Sequence, residues 1–300
     1  MTGLTLNAAD TPLTDRAADF LAAGPADAQT LISHVCQLPS APRMVCEHMA
    51  AALLAGHRRF ARAADGRWQL REQSVAYGVG GTAEISIRDL RHESFVVVDV
   101  ETTGARAGYG DRITEIAVVK VHNGVATLVF DTLVNPERPI PPAITALTNI
   151  SWAMVKDAPK FAEVCDQLLG VLEGHVFVAH NATFDWRFIT TEVERATRRQ
   201  LHGRTLCTVR LARRLLPQLR RRNLDSLAAF YGIDIVGRHR AGGDAIATAQ
   251  AFLRLLDAAR DRGCVSLDDV DRVLAQRTGR RKRRRRPPAL PHSASDDSYA

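Results

Sequence analysis

The sequence predicts an α/β domain with a mixed sheet, preceded by a small helical module. Three observations carry that prediction. FVVVDVE (95–101) is a continuous β-branched run, the pattern of a strand buried on both faces. ITEIAVVKV (113–121) and VATLVFDTLV (125–134) follow across short turns, one of them Asn123-Gly124, which makes the three strands antiparallel neighbours. Strand-like and helix-like segments then alternate to residue 260, giving a domain of about 170 residues, enough to enclose a full core.

From the N-terminus, residues 1–24 are Ala/Thr/Asp-rich without firm periodicity and are expected to be flexible. Residues 25–75 read as a module. Ala28, Leu31, Ile32, Val35 and Cys36 have helical spacing, and Pro39 and Pro42 break the chain before a second helix over 41–56. Asp65-Gly66 then marks a hairpin whose return strand carries Trp68. Helices followed by such a hairpin resemble a winged-helix module, which implies contact with DNA or another protein; a plain helical cap with no binding role is the alternative. Gly-rich YGVGGTAE lies in a linker at 76–93.

Beyond the three strands, NPERPIPPAI (135–144) reads as a loop and FAEVCDQLLGVLEG (161–174) as an amphipathic helix. HVFVAHN (175–181) reads as a buried strand and DWRFITTEVERATRR (185–199) as a helix. RTLCTVRLARRLL (204–216) is a short strand leading into a helix, and NLDSLAAFYGI (223–233) a short helix capped by Asn223. DAIATAQAFLRLLDAAR (244–260) is the last long helix, and a C-terminal helix over 261–276 has Ser266 as its N-cap.

Composition narrows the function classes. The chain has 300 residues, 46% hydrophobic and 24% charged, the balance of a globular protein. No apolar run approaches the roughly 20 residues that span a bilayer, and the N-terminus lacks the basic start and apolar core of a secretory signal, so a cytoplasmic protein without a membrane partner is expected. The five cysteines form no C-x-x-C pair and read as reduced thiols. Net charge is +7, yet residues 1–94 hold nine basic against ten acidic side chains and residues 95–276 hold 23 against 21. Residues 277–300 hold eight against two, a basic tail expected to be disordered alone and suited to a phosphate backbone, or simply solvated.

The chemistry lies in three short motifs. In VVVDVETTG (96–104), Asp99 and Glu101 are two apart on a strand and so share one face. In HNATFDWRFI (180–189), Asp185 follows a buried strand at a helix start. In HRAGGDAIATAQAF (239–252), His239 sits in a loop and Asp244 near the first turn of a helix. Taken singly, each acid has a plainer reading as a cap or dipole partner.

Together, in this order over about 145 residues, the motifs resemble the DEDDh branch of the DEDD 3′–5′ exonuclease superfamily, in particular the exonuclease (epsilon) subunits of bacterial DNA polymerase III and their relatives. NPERPIPP followed by LTNIS, and NLDSLAAFYGI, support the likeness, which covers roughly Ser94 to Ala259 within a domain over 94–260. The resemblance implies a ribonuclease H-like fold with a mixed five-stranded sheet flanked by helices. It implies two divalent cations, Mg²⁺ or Mn²⁺, held by Asp99, Glu101, Asp185 and Asp244, with His239 as general base. The physics agrees: clustered carboxylates repel one another unless cations neutralise them, and all-oxygen ligands select hard cations. It further implies hydrolysis of terminal phosphodiesters at DNA 3′ ends to nucleoside 5′-monophosphates, in proofreading or repair. RNA 3′-end trimming and a non-catalytic polymerase adaptor are the alternatives. A DNA polymerase catalytic subunit is a partner consistent with the likeness.

Thr102, Thr103, Gly104 and Asn181 are implied substrate contacts, with Leu147 and Ile144 at positions where relatives wedge apolar side chains against the terminal bases. Phe184 and His180 are expected to be structural. Two departures stand out: Asn149 where relatives have Gly, and Gly242-Gly243 where many carry a bulkier residue and an acid.

Overall fold

The computed structural model describes residues 3–71, 89–90 and 92–276. The basic tail and most of the expected linker lie outside these residues.

The expectation for residues 1–24 is corrected. They contain strand β1 (Thr5–Ala8) and helix α1 (Pro12–Leu21), whose N-terminus is closed by a capping box between Thr11 and Thr14. β1 finds its partner almost 200 residues away, in a pairing that local periodicity does not reveal. Leu4 is fully buried there, and its N–H donates to the His175 carbonyl at 2.8 Å. The helices and hairpin read for the next segment are present as α2 (Ala28–Cys36), α3 (Arg43–Leu54), β2 (Phe60–Arg62) and β3 (Trp68–Leu70). Asp27 caps α2 by accepting from Thr30 N–H at 3.0 Å. α1 joins their core, where Ala17, Leu21, Leu31, Ile32, Leu54 and Trp68 pack together.

The main sheet follows. β4 (Ser94–Thr102), β5 (Ile113–His122) and β6 (Val125–Leu133) form the anticipated antiparallel meander. The proline-rich segment read as a loop contains helix α4 (Pro142–Thr148), followed by α5 (Trp152–Val155). Pro142 occupies the first helical position, where the missing N–H costs nothing and the fixed φ suits the helix. α4 ends at Asn149 in the left-handed conformation (φ 58°), which Asn tolerates better than most residues; this accounts for Asn standing where a glycine is usual.

Helix α6 (Phe161–Leu172) leads to β7 (Val176–Ala179), then to α7 (Thr183–Thr197) and β8 (Arg199–His202), the partner of β1. β9 (Thr205–Cys207) runs directly into α8 (Thr208–Leu215), followed by α9 (Leu224–Tyr231), α10 (Ala241–Arg260) and α11 (Leu267–Ala275). Asn223 and Ser266 cap α9 and α11 as the sequence predicts. The sheet order is β6-β5-β4-β7-β9, with β4, β7 and β9 mutually parallel.

Alternation along β4 sorts the two faces. Phe95 and Val97 point into a core shared with Phe252, Leu255 and Ala245 of α10. Val96, Val98 and Val100 point into the core formed with Phe161 and Leu168 of α6 and Phe188 of α7. The period of two therefore puts Asp99 and Glu101 on the face covered by α10. No helix among the described residues is long and apolar enough to cross a membrane.

Candidate active site

β4 delivers its acids where its pairing ends. Glu101 lies opposite Glu115 of β5, and the register shifts between Glu101 and Thr102, one residue before β4 ends. The loop beyond is internally bonded. Thr102 Oγ1 donates to the Gly104 carbonyl at 2.6 Å, and Thr103 Oγ1 accepts from Arg112 N–H at 3.1 Å. A Cβ on Gly104 would sit 2.4 Å from Asp111 Oδ2, so this glycine is required by close approach.

Asp185 reaches the same end from α7. It is buried, and its Oδ1 accepts from Val100 N–H at 3.3 Å. Burial pushes its carboxyl up to about 7, against the pull of the backbone N–H bonds. Asn181 makes the turn from β7 into α7 with φ 70°, its carbonyl accepting from Phe184 N–H at 2.9 Å. Phe184 packs on Phe188, their ring centroids 4.9 Å apart. The His180 ring is pushed down to about 4 by burial and lies 2.9 Å from Thr208 Oγ1, a neutral structural histidine.

The third segment is positioned by a clamp. Glu115, almost fully buried, accepts from Arg240 Nε at 3.0 Å and from Ala241 N–H at 2.8 Å, at the first turn of α10. This ties the helix carrying Asp244 to the strand facing Glu101. Gly243 lets the first turn of α10 lie close to the preceding loop, since a Cβ there would lie 1.8 Å from the Val236 carbonyl oxygen. A side chain does not fit at 243, while a Cβ on Gly242 would lie 2.8 Å from Asp131 Oδ2. Glu115→Ala removes the clamp and is expected to cost about 3 kcal/mol, the lower end for a broken buried pair because Arg240 keeps some solvent. Urea unfolding checks it; a loss below about 1 kcal/mol would show the clamp to be dispensable.

His239 adopts φ 63°, and its backbone N–H donates to Asp244 Oδ2 at 3.2 Å. Arg238 completes the arrangement. Its Nη1 donates to the same Asp244 oxygen, its Nε donates to Asp225 Oδ1 of α9 at 2.7 Å, and Nη1 lies 3.3 Å from His239 Nδ1. A guanidinium only donates, so Nδ1 is the acceptor in that contact. Asp244 Oδ1 is buried with no partner.

The structure thus brings five of the anticipated residues together. Glu101, His239 and Asp244 each offer a ligand atom, all within 4.8 Å of one another. Burial and the neighbouring Asp185, Asp244 and Glu101 hold the Asp99 carboxyl well above the ordinary carboxylate range. Burial, then Asp244 and Glu115, push Glu101 up to about 8. Asp244 is also raised, by burial, with Arg238 opposing. An oxygen-rich donor set with an orphaned buried carboxylate oxygen and mutual repulsion fits a hard divalent cation. Leu147 is an exposed side chain of α4, outside this cluster. Arg238 and Glu115 are the participants that sequence reasoning missed. A lone arginine beside a motif, and an acid inside an apolar strand, carry no local signal of their partners.

Residues 96–252 match the exonuclease family pattern (RNase_T). A DNA polymerase III PolC-type protein of Caldanaerobacter subterraneus is 39% identical over 199 residues, covering 66% of this chain and 14% of that protein. A DNA polymerase III subunit epsilon-like protein of Rhodobacter capsulatus is 44% identical over 197 residues, covering 64% of this chain and 28% of that one. The chain therefore spans less than a third of either relative. Among solved structures, Exonuclease X in complex with 5′ overhanging duplex DNA is 29% identical with a TM-score of 0.48, over 60% of this chain and 99% of that one. E. coli Exonuclease I in complex with a dT13 oligonucleotide is 16% identical with a TM-score of 0.47, over 56% and 44%.

Proposed function

The chain belongs to the exonuclease family, and from that premise we propose that it hydrolyses the terminal phosphodiester at DNA 3′ ends, releasing nucleoside 5′-monophosphates. The observation that supports this best is the convergence of Glu101, His239 and Asp244 within 4.8 Å, beside Asp99 and Asp185, whose carboxyls are raised by burial. Asp99, Glu101, Asp185 and Asp244 would hold the divalent cations, Mg²⁺ or Mn²⁺. Such cations supply Lewis-acid stabilisation of the attacking and leaving oxygens in displacement at phosphorus.

The protein's own contribution is positional. β4 and α10 present the acids on one side, and the Val100 N–H fixes Asp185 on the other. His239 takes the proton of the attacking water as a positioned imidazole base. Leu147, exposed on α4, would meet the terminal base. Thr102, Thr103 and Gly104 would shape the loop that seats the terminal nucleotide, and Asn181 would line its edge. The polymerase III names of the relatives favour DNA, in proofreading or repair, alone or beside a polymerase catalytic subunit.

The test is incubation with 3′-labelled single-stranded DNA and RNA in Mg²⁺, Mn²⁺ or EDTA. Metal-dependent release of mononucleotides from DNA is the expected result. Release from RNA alone would make the chain an RNA-trimming enzyme. No release under any condition would leave a non-catalytic nucleic-acid adaptor.

A further inference from the structure

Residues 195–224 carry ten arginines and no acidic side chain, whereas the remainder of residues 95–276 holds 13 basic against 21 acidic. The near-neutral whole conceals this segregation. Part of the set is used internally: Arg195 pairs with Glu192 at 3.1 Å, Arg204 pairs with Asp268 at 2.7 Å, and Arg199 donates to the Leu6 carbonyl at 2.9 Å. Arg210, Arg213, Arg220 and Arg221 are exposed and face no carboxylate among the described residues.

Their placement follows from α8 and the turn after it. α8 buries Thr208, Leu211, Ala212 and Leu215, which leaves Arg210 and Arg213 to solvent. Its first residue, Thr208, bonds the Ala179 carbonyl at 3.4 Å and contacts the His180 ring, so Arg210 lies at the end of the sheet where β7 hands over to Asp185. The chain then returns to that end. The Arg222 backbone faces the His180 ring, Asn223 caps α9, and Asp225 holds the Arg238 that holds Asp244. Arg220 and Arg221 thus immediately precede the segment that meets His180 and Arg238 at this end of the sheet. Without bound cations the carboxylate cluster repels a polyanion, and positive charge nearby offsets that repulsion.

We propose that Arg210, Arg213, Arg220 and Arg221 form a phosphate track that holds the nucleic-acid strand on the 5′ side of its reacting end. The inference rests on the nuclease reading of the site and adds where the strand lies. Recognition is of the phosphodiester backbone, independent of sequence. For single strands each neutralised phosphate contributes about 0.7 to the slope of log affinity against log salt.

Binding of fluorescein-labelled dT20 to the full chain in EDTA, titrated from 50 to 200 mM salt, tests the track. In Arg220→Gln/Arg221→Gln the slope should fall by about 1.4, two contacts' worth, with affinity at 100 mM salt lowered about tenfold. Arg210→Gln/Arg213→Gln should do the same. Arg198→Gln/Arg254→Gln removes equal charge from exposed positions away from the site and should leave the slope unchanged. Hydrolysis of the p-nitrophenyl ester of thymidine 5′-monophosphate with Mn²⁺ needs no strand and should proceed at the parental rate in both track variants. Unchanged slopes in the track variants, or an equal fall in the charge-matched control, would overturn the proposal. Failure of the unsubstituted chain to hydrolyse the ester would instead count against the nuclease reading, while the slopes still decide the track.

Discussion

His239→Ala is expected to lower the rate of mononucleotide release at neutral pH by about 10²–10⁴-fold, the range for loss of a positioned proton acceptor, while divalent-ion binding remains measurable by calorimetry. The side chain stands beside Glu101 and Asp244, and its backbone is pinned by the bond to Asp244 Oδ2 at 3.2 Å. Because φ is 63°, His239→Asn is the companion variant: Asn tolerates the left-handed region and cannot accept a proton at pH 7. Equal losses in both variants would assign the effect to the imidazole and not to the turn. A near-parental rate in either would remove His239 from the mechanism.

Without divalent ions, the protein should lose stability as pH rises from about 4 to about 8. Asp99, Asp244, Glu101 (to about 8) and Asp185 (to about 7) all have carboxyls raised by burial in the folded state. Below the ordinary carboxylate range they are protonated whether the chain is folded or not, and stability is complete. As pH rises the unfolded chain releases these protons first, which favours unfolding until the folded-state values are passed. Melting temperature in EDTA should therefore decline across this window. Mn²⁺ should restore it at pH 8, since an ion bound only to the folded form stabilises by mass action. Asp99→Asn removes one member of the repelling set and should raise the ion-free Tm at pH 8 by several degrees while abolishing turnover. A Tm in EDTA independent of pH between 5 and 8 would mean that the acids do not repel one another as placed.

Legibility from sequence tracked the range of the interaction. β4, β5 and β6 were readable because their apolar runs and the Asn123-Gly124 turn are local signals. The capping residues Asn223 and Ser266 were readable for the same reason. β1 was not, because four residues acquire strand geometry only by pairing with β8. α4 was hidden under prolines that usually mark loops but serve equally at a first helical turn.

The candidate site divides in the same way. Which acids are available, and that Asp99 and Glu101 share a face, follow from residue order and the two-residue repeat of an extended chain. Long-range packing sets the rest: α10 covers that face, Glu115 clamps its first turn, and Arg238 spans Asp225, Asp244 and His239. It also brings the Arg222 backbone back to the His180 ring. These contacts join residues far apart in the chain, and their energies exist only after packing has fixed the geometry and excluded water.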